Sequence, residues 1–199
     1  MGFLAIIIAY LLGSIPFGYI FTLLARRIDI RQYGSGNIGA TNVQRLLGWR
    51  VAFLVLLLDL GKGSVAVLLA RAISGETAVI LAAALAVLLG HCYPIFLQFK
   101  GGKGAATGVG LLLALSAPVC AATVALAVLI IALTRYVSLG SIIGAFSVPF
   151  LLLFFNYEPL YLLFGAAMAL LIIFRHRENI VRLLKGTESR LGQRAERRD

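Results

Sequence analysis

Hydrophobic and polar positions in this chain come in long blocks rather than in alternation. Apolar runs fall near 3–25, 51–70, 77–97, 105–117, 118–134, 139–156 and 159–174. A helix needs about 20 apolar residues to cross about 30 Å of hydrocarbon, so each run is a candidate span. The fourth and fifth runs are short, with only Ser116-Ala117-Pro118 between them. Joined, they are too long for one crossing, and Pro118 suits a tight turn between two. The runs are too long and too uniformly apolar for barrel strands, and backbone groups in lipid are then satisfied within helices. The pattern predicts an all-α integral membrane protein with seven transmembrane helices, organised as one membrane-embedded domain over residues 1–199.

Composition agrees. The chain is 61% hydrophobic and 13% charged, with a mean hydropathy of +0.98, which leaves too little polar surface to cover a soluble globule. The net charge of +10 matters through its placement. All but two of the 18 Lys and Arg lie in 26–50, 98–104, 135–138 and the tail from 175. These segments share one side of the membrane when the spans alternate. The positive-inside rule then puts the N-terminus outside and the C-terminus in the cytoplasm. The charge is a topology signal, and nucleic acid is not an expected partner even for the basic tail 186–199. Residues 1–10 lack a basic leader, so the first run reads as a retained helix. Cys92 and Cys120 fall near opposite ends of their spans, so no disulfide is expected, and they are too few for a zinc site. Neither a metal nor a cofactor is expected.

The unusual polar residues gather at the cytoplasmic ends of these spans. Gly34-Ser35-Gly36-Asn37-Ile38-Gly39 matches the dinucleotide pattern G-x-G-x-x-G, and Asp59 falls about 20 residues further on. The context fails, because no strand precedes it and Asp59 lies inside a membrane-length run. The glycines still allow close backbone approach to a ligand, and Ser35 or Asn37 is placed to cap a short helix through Leu47 whose N-terminus favours an anion. Thr41 and Arg45 share one face of that helix beside Asn42, and an Arg there can hold phosphate through two hydrogen bonds. Alternatively the segment is a glycine turn and an interfacial helix anchored by Trp49.

A second cluster, Lys100-Gly101-Gly102-Lys103-Gly104, lacks the Walker A spacing but has its ingredients: flexible N–H groups, a lysine and a helix start. Arg175-His176-Arg177-Glu178-Asn179 closes the last span with more than the arginines a membrane flank requires. His91 sits near the same depth, where Pro94 can bend its helix. Asp59 and Lys62, three apart inside the second long span, read as a buried pair that neutralises itself. Gly140-x-x-x-Gly144 is a helix-packing signal, within the chain or between chains. Two glycine-rich basic loops, two histidines and an Asn at one membrane face fit the handling of a phosphorylated, water-soluble molecule.

Three segments, GSGNIGATNVQR, GHCYPIFLQFKGGKGAATGVG and RHRENIVRLLKGTE, together with DLGKG and the span layout, resemble the bacterial acyl-phosphate:glycerol-3-phosphate acyltransferases, the PlsY family. The resemblance runs over essentially the whole chain. It implies a bacterial inner-membrane enzyme, its active site facing the cytoplasm, that moves an acyl group from acyl phosphate to the 1-hydroxyl of glycerol 3-phosphate. Membrane lipid and the acyl-phosphate-forming enzyme are the further implied partners. By carry-over, Ser35, Arg45, Lys103, His176 and Asn179 are the implied catalytic residues. Asn37, Gly39, Thr41, Asn42, His91, Gly101, Gly102, Gly104 and Thr107 are implied to bind substrate. The histidines do not fit the other acyltransferase signature, H-x-x-x-x-D, since Phe96 and Val181 stand where the aspartate would be. An acyl phosphate is already activated, so the protein mainly has to orient the hydroxyl and stabilise charge. The alternative reading is a transporter of phosphorylated solutes, suggested by Asp59 and Lys62; such a site would lie near the midplane between repeats, and no repeat is visible.

Overall fold

The computed structural model describes residues 1–193; the tail arginines Arg194, Arg197 and Arg198 fall outside them. The described residues are helical, with no strand. In chain order the helices are α1 (Gly2–Gly13), α2 (Phe17–Arg26), α3 (Ala40–Leu47), α4 (Trp49–Ile73), α5 (Thr77–Cys92), α6 (Ala105–Leu115), α7 (Ala117–Thr134), α8 (Val137–Phe154), α9 (Pro159–Arg175) and α10 (Arg177–Leu184). Single 3-10 turns lie at Ile30–Gln32 and Ile95–Leu97.

Five stretches are long and apolar enough to cross a membrane: Gly2–Arg26, Trp49–Ile73, Thr77–Leu97, Ala117–Thr134 and Val137–Phe154. A sixth counts if α9 and α10, bent by 58° at His176, are taken together. The first of these stretches is in two pieces, since Pro16 interrupts it between α1 and α2. The run read as a span over 105–117 is an 11-residue helix, about 16 Å long at 1.5 Å per residue. That is well short of the hydrocarbon thickness. It ends where Ser116 caps α7, its hydroxyl accepting the Val119 N–H at 3.3 Å, with Pro118 in the first turn.

Lipid offers helices no hydrophobic drive to associate, so packing relies on small residues and close backbone approach. The α4–α6 contact shows this most clearly. A methyl group added at Gly110 would overlap the Leu60 carbonyl oxygen, and one at Gly63 would overlap that of Thr107. The Ser64 hydroxyl donates to the Gly110 carbonyl at 2.7 Å. α1 packs on α4 and α5, while α7, α8 and α9 form a second layer. Gly140 and Gly144 both face Ala127 of α7, so this packing signal serves the interior of the chain.

α3 starts at Ala40 with Gly39 as its N-cap and no side-chain cap. Neither Ser35 nor Asn37 caps it, because both lie in the tight turn before it, where Gly34 and Gly36 take left-handed backbone angles. Trp49 opens α4 directly after Gly48 and is 61% exposed, as an interfacial anchor should be.

The α4–α6 approach gives a first prediction. Gly110→Val should lower the thermal midpoint in detergent by an overpacking cost of about 1–3 kcal/mol. Gly61→Ala, where an added methyl meets nothing within 4 Å, should leave the midpoint unchanged in the same melt.

Candidate active site

The first polar loop is organised by a side chain that turns away from solvent. Asn42, 1% exposed on α3, donates to the carbonyls of Tyr33 at 3.0 Å and Asn37 at 2.9 Å, and its Oδ1 accepts the Ser35 N–H at 3.1 Å. Satisfying the loop's backbone in this way keeps Asn42 off the cavity wall, where it was expected to meet substrate. Thr41 and Arg45, on the adjacent face, do line the cavity, with Ser35, Asn37 and Gly39.

The second loop, 98–104, lies between α5 and α6 and is held from both sides. The Gly102 N–H donates to the His91 carbonyl at 3.0 Å. Arg175, at the end of α9, donates from Nε to the Gly102 carbonyl and from Nη2 to that of Gly101, each at 3.0 Å. Its guanidinium lies over the Tyr93 ring, 4.8 Å from the centroid. The His91 ring packs so closely on Gly102 that an added Cβ would overlap Nε2. This explains the glycine run: the loop sits where side chains do not fit. Gly101 and Gly102 therefore lie behind the cavity wall, whereas Lys103 and Gly104 reach it. Thr107 is fully buried and sits away from that wall because its turn of α6 packs against α4.

The third cluster closes the site. The Lys103 ammonium donates to Asn179 Oδ1 on α10. Asn179 Nδ2 donates to Glu188 Oε1 at 2.6 Å, and the Ser138 hydroxyl donates to the same oxygen at 2.8 Å. Arg182 Nε donates to Glu188 Oε2 at 2.7 Å. The segment after α10 thus folds back over the cavity, and Arg45 Nη2 donates to the Ser189 carbonyl at 3.4 Å. His176 is 4% exposed, and its Nδ1 stands 2.8 Å from the Ile172 carbonyl oxygen. A carbonyl only accepts, so Nδ1 carries the proton and Nε2 is left as an acceptor.

Sequence reasoning passed over Glu188, Ser138 and Arg182, and took Arg175 for a membrane flank. Glu188 had two signals: it ends the segment RHRENIVRLLKGTE, and it is an acid in a strongly basic tail. Burial pushes its carboxyl pKa up, but hydrogen bonds from Arg182, Asn179 and Ser138 outweigh that and hold it below the ordinary value. Burial, reinforced by Arg182 and Arg175 and opposed by Glu188 and Glu178, lowers the Lys103 pKa to about 8.

These groups surround one end of a cavity of about 550 Å³. From Arg45, Lys103, His176 and Asn179 it continues between apolar walls, among them Phe53 and Leu56 of α4, Leu112 of α6 and Val128 of α7. Cationic and amide donors at one end and a hydrocarbon-lined groove at the other define a membrane enzyme that takes an anionic head and an apolar chain. The chain belongs to the glycerol-3-phosphate acyltransferase family, whose model matches residues 3–186. It is 50% identical over 196 residues to a glycerol-3-phosphate acyltransferase of Thermoanaerobacter sp. (strain X514), covering 97% of both chains. It is 47% identical over 189 residues to that of Desulforamulus reducens, covering 95% of this chain and 94% of the relative. The crystal structure of PlsY, an integral membrane glycerol 3-phosphate acyltransferase, in its glycerol 3-phosphate form is similar with a TM-score of 0.92 and 43% identity, covering 96% of each chain. The lysophosphatidic acid form of PlsY gives 0.88 and 42%, covering 96% of this chain and 95% of that one.

The lowered Lys103 pKa fixes the sign of a pH dependence. The ammonium persists below about 8 and is lost above it, so kcat/KM should fall as pH rises through that value. Lys103→Arg, which cannot deprotonate in this range, should remove the fall. A pH profile of both forms in detergent checks this.

Proposed function

We propose that this glycerol-3-phosphate acyltransferase takes its acyl group from an acyl phosphate and delivers it to the 1-hydroxyl of glycerol 3-phosphate. The products are 1-acyl-glycerol 3-phosphate and inorganic phosphate. One observation carries the reading: a single cavity joins a cationic, glycine-loop end to an apolar groove. The phosphates meet Arg45 and Lys103 at the polar end, and the acyl chain lies in the groove. A transporter reading leaves the polar groups at one membrane face unexplained. The acceptor hydroxyl oxygen attacks the acyl carbonyl carbon, the bond from that carbon to the phosphate oxygen breaks, and the hydroxyl proton leaves on the phosphate. His176 Nε2 accepts from the acceptor's hydroxyls and orients them, while Asn179 and Ser35 position the reacting ends. The Lys103 ammonium stabilises the tetrahedral oxyanion in a site with little water, where such a charge acts most strongly.

We place the enzyme as one domain over residues 1–199 in the bacterial inner membrane. Its chain crosses seven times, with the N-terminus outside and the site on the cytoplasmic face, a topology supported by the Lys and Arg distribution. α6 then makes its crossing from a recessed start, which sets the second loop below the membrane surface, where acyl chain and phosphate can both reach it. The acyl-phosphate-forming enzyme is a partner through the substrate it supplies.

The test is turnover by purified protein with palmitoyl phosphate and glycerol 3-phosphate, with acyl-CoA as control donor. Phosphate and lysophosphatidic acid should appear in equal amounts, and neither with acyl-CoA. Lys103→Ala and Arg45→Ala should each lower kcat/KM by about 100-fold or more, the scale for losing a charge-assisted contact to the transition state. Full activity in both folded variants would overturn the site assignment.

A further inference from the structure

Asp59 and Lys62 lie within α4, 2% and 6% exposed. Their charged atoms are 2.7 Å apart. A pair of this kind is weak evidence for stability, because desolvation offsets most of the attraction. Its further contacts are more informative, since each charge also touches a different part of the polar face.

Lys62 Nζ donates to the Ile15 carbonyl at 3.0 Å, at the break where Pro16 separates α1 from α2. Its ammonium stands 5.5 Å from the centroid of the Phe17 ring. α2 begins there and runs against the first loop so closely that a methyl group at Gly18 would overlap the Ile38 carbonyl oxygen. Asp59 Oδ1 stands 3.5 Å from His91 Nδ1. The other edge of that imidazole lies on Gly102, and the His91 carbonyl accepts the Gly102 N–H. The Nε2 edge lies against the loop, so His91 supports Gly102, and both His91 and Asp59 also line the cavity. One ion pair is thus linked to both glycine loops, through Ile15 and the start of α2 on one side and through His91 on the other.

We propose that Asp59 and Lys62 are positioning residues for acyl transfer: their ion pair sets the two phosphate-handling loops in register, through the Ile15 carbonyl and the His91 ring. This rests on the reading that those loops hold substrate phosphate. Asp59→Asn/Lys62→Met removes both charges together and so leaves no uncompensated ion in the membrane. The thermal midpoint of this double variant should stay close to wild type. Its KM for the phosphate-bearing substrates should nevertheless rise about tenfold, the scale for a misplaced charge-assisted hydrogen bond. A merely structural pair predicts unchanged KM, with kcat lowered only in proportion to the folded fraction, and that result overturns the proposal. If the double variant does not fold, His91→Gln decides, because it removes only the arm to Gly102; an unchanged KM there also overturns it. Lys103→Ala in the same assay separates the two ideas, since retained activity refutes the loop reading whatever the double variant does.

Discussion

The Asp59–Lys62 contact is the interaction to which the rest of the polar architecture is tied. Two charges inside a lipid-spanning helix are tolerated only as a pair, and this pair also touches backbone and side chains outside its own helix. The broken first span leaves an Ile15 carbonyl that Lys62 satisfies. The imidazole supporting Gly102 faces Asp59. A hydrophobic replacement of similar volume could hold α4 in place equally well, but it could not serve a backbone acceptor and a histidine at once.

The second constraint is depth. An enzyme that joins a water-soluble acceptor to a hydrocarbon chain must bring its charged groups below the headgroups without leaving them unpaired. In the topology proposed above the short α6 supplies the depth, and the protein's own donors and acceptors supply the pairing. Arg175 neutralises the carbonyl end of the Gly101–Gly102 backbone, while Glu188 and Asn179 accompany Lys103. Burial within the protein lowers the lysine pKa to about 8. An ammonium poorly served by water interacts more strongly with a phosphate or a developing oxyanion than one on the surface would.

Much of this was legible in the sequence, and the gaps have identifiable causes. Apolar run lengths predicted the helical membrane class, and the proline after Ser116 marked the turn between α6 and α7 correctly. The four-residue spacing of Thr41 and Arg45 put both on one wall of the cavity, as helical geometry requires. Asn42 points inward because the loop before α3 has carbonyls to satisfy, and residue spacing does not count unpaired backbone groups. Arg175 looks like any membrane-flanking arginine until the loop it holds is brought beside it, 73 residues away in sequence. Glu188 and Ser138 meet across 50 residues, a separation that only the return of the tail over α8 creates. Local chemistry was readable where one helix face carried it and hidden where the chain had to fold back on itself.

The glycine loops show why so many distant groups are needed. A loop with three glycines in seven residues, as 98–104 has, allows close backbone approach, but the glycines bring no side chains with which to hold its shape and lose more entropy on ordering than other residues. The second loop is accordingly fixed by neighbours: His91 beneath it, Arg175 across its carbonyls, and Asn179 on the lysine that follows. These supports come from α5, α9 and α10, three separate parts of the chain, so the binding geometry follows from the packing of the whole bundle. Glycines that let neighbouring groups approach the backbone closely, and the His91 and Arg175 side chains that occupy the space they leave, are two halves of one packing arrangement.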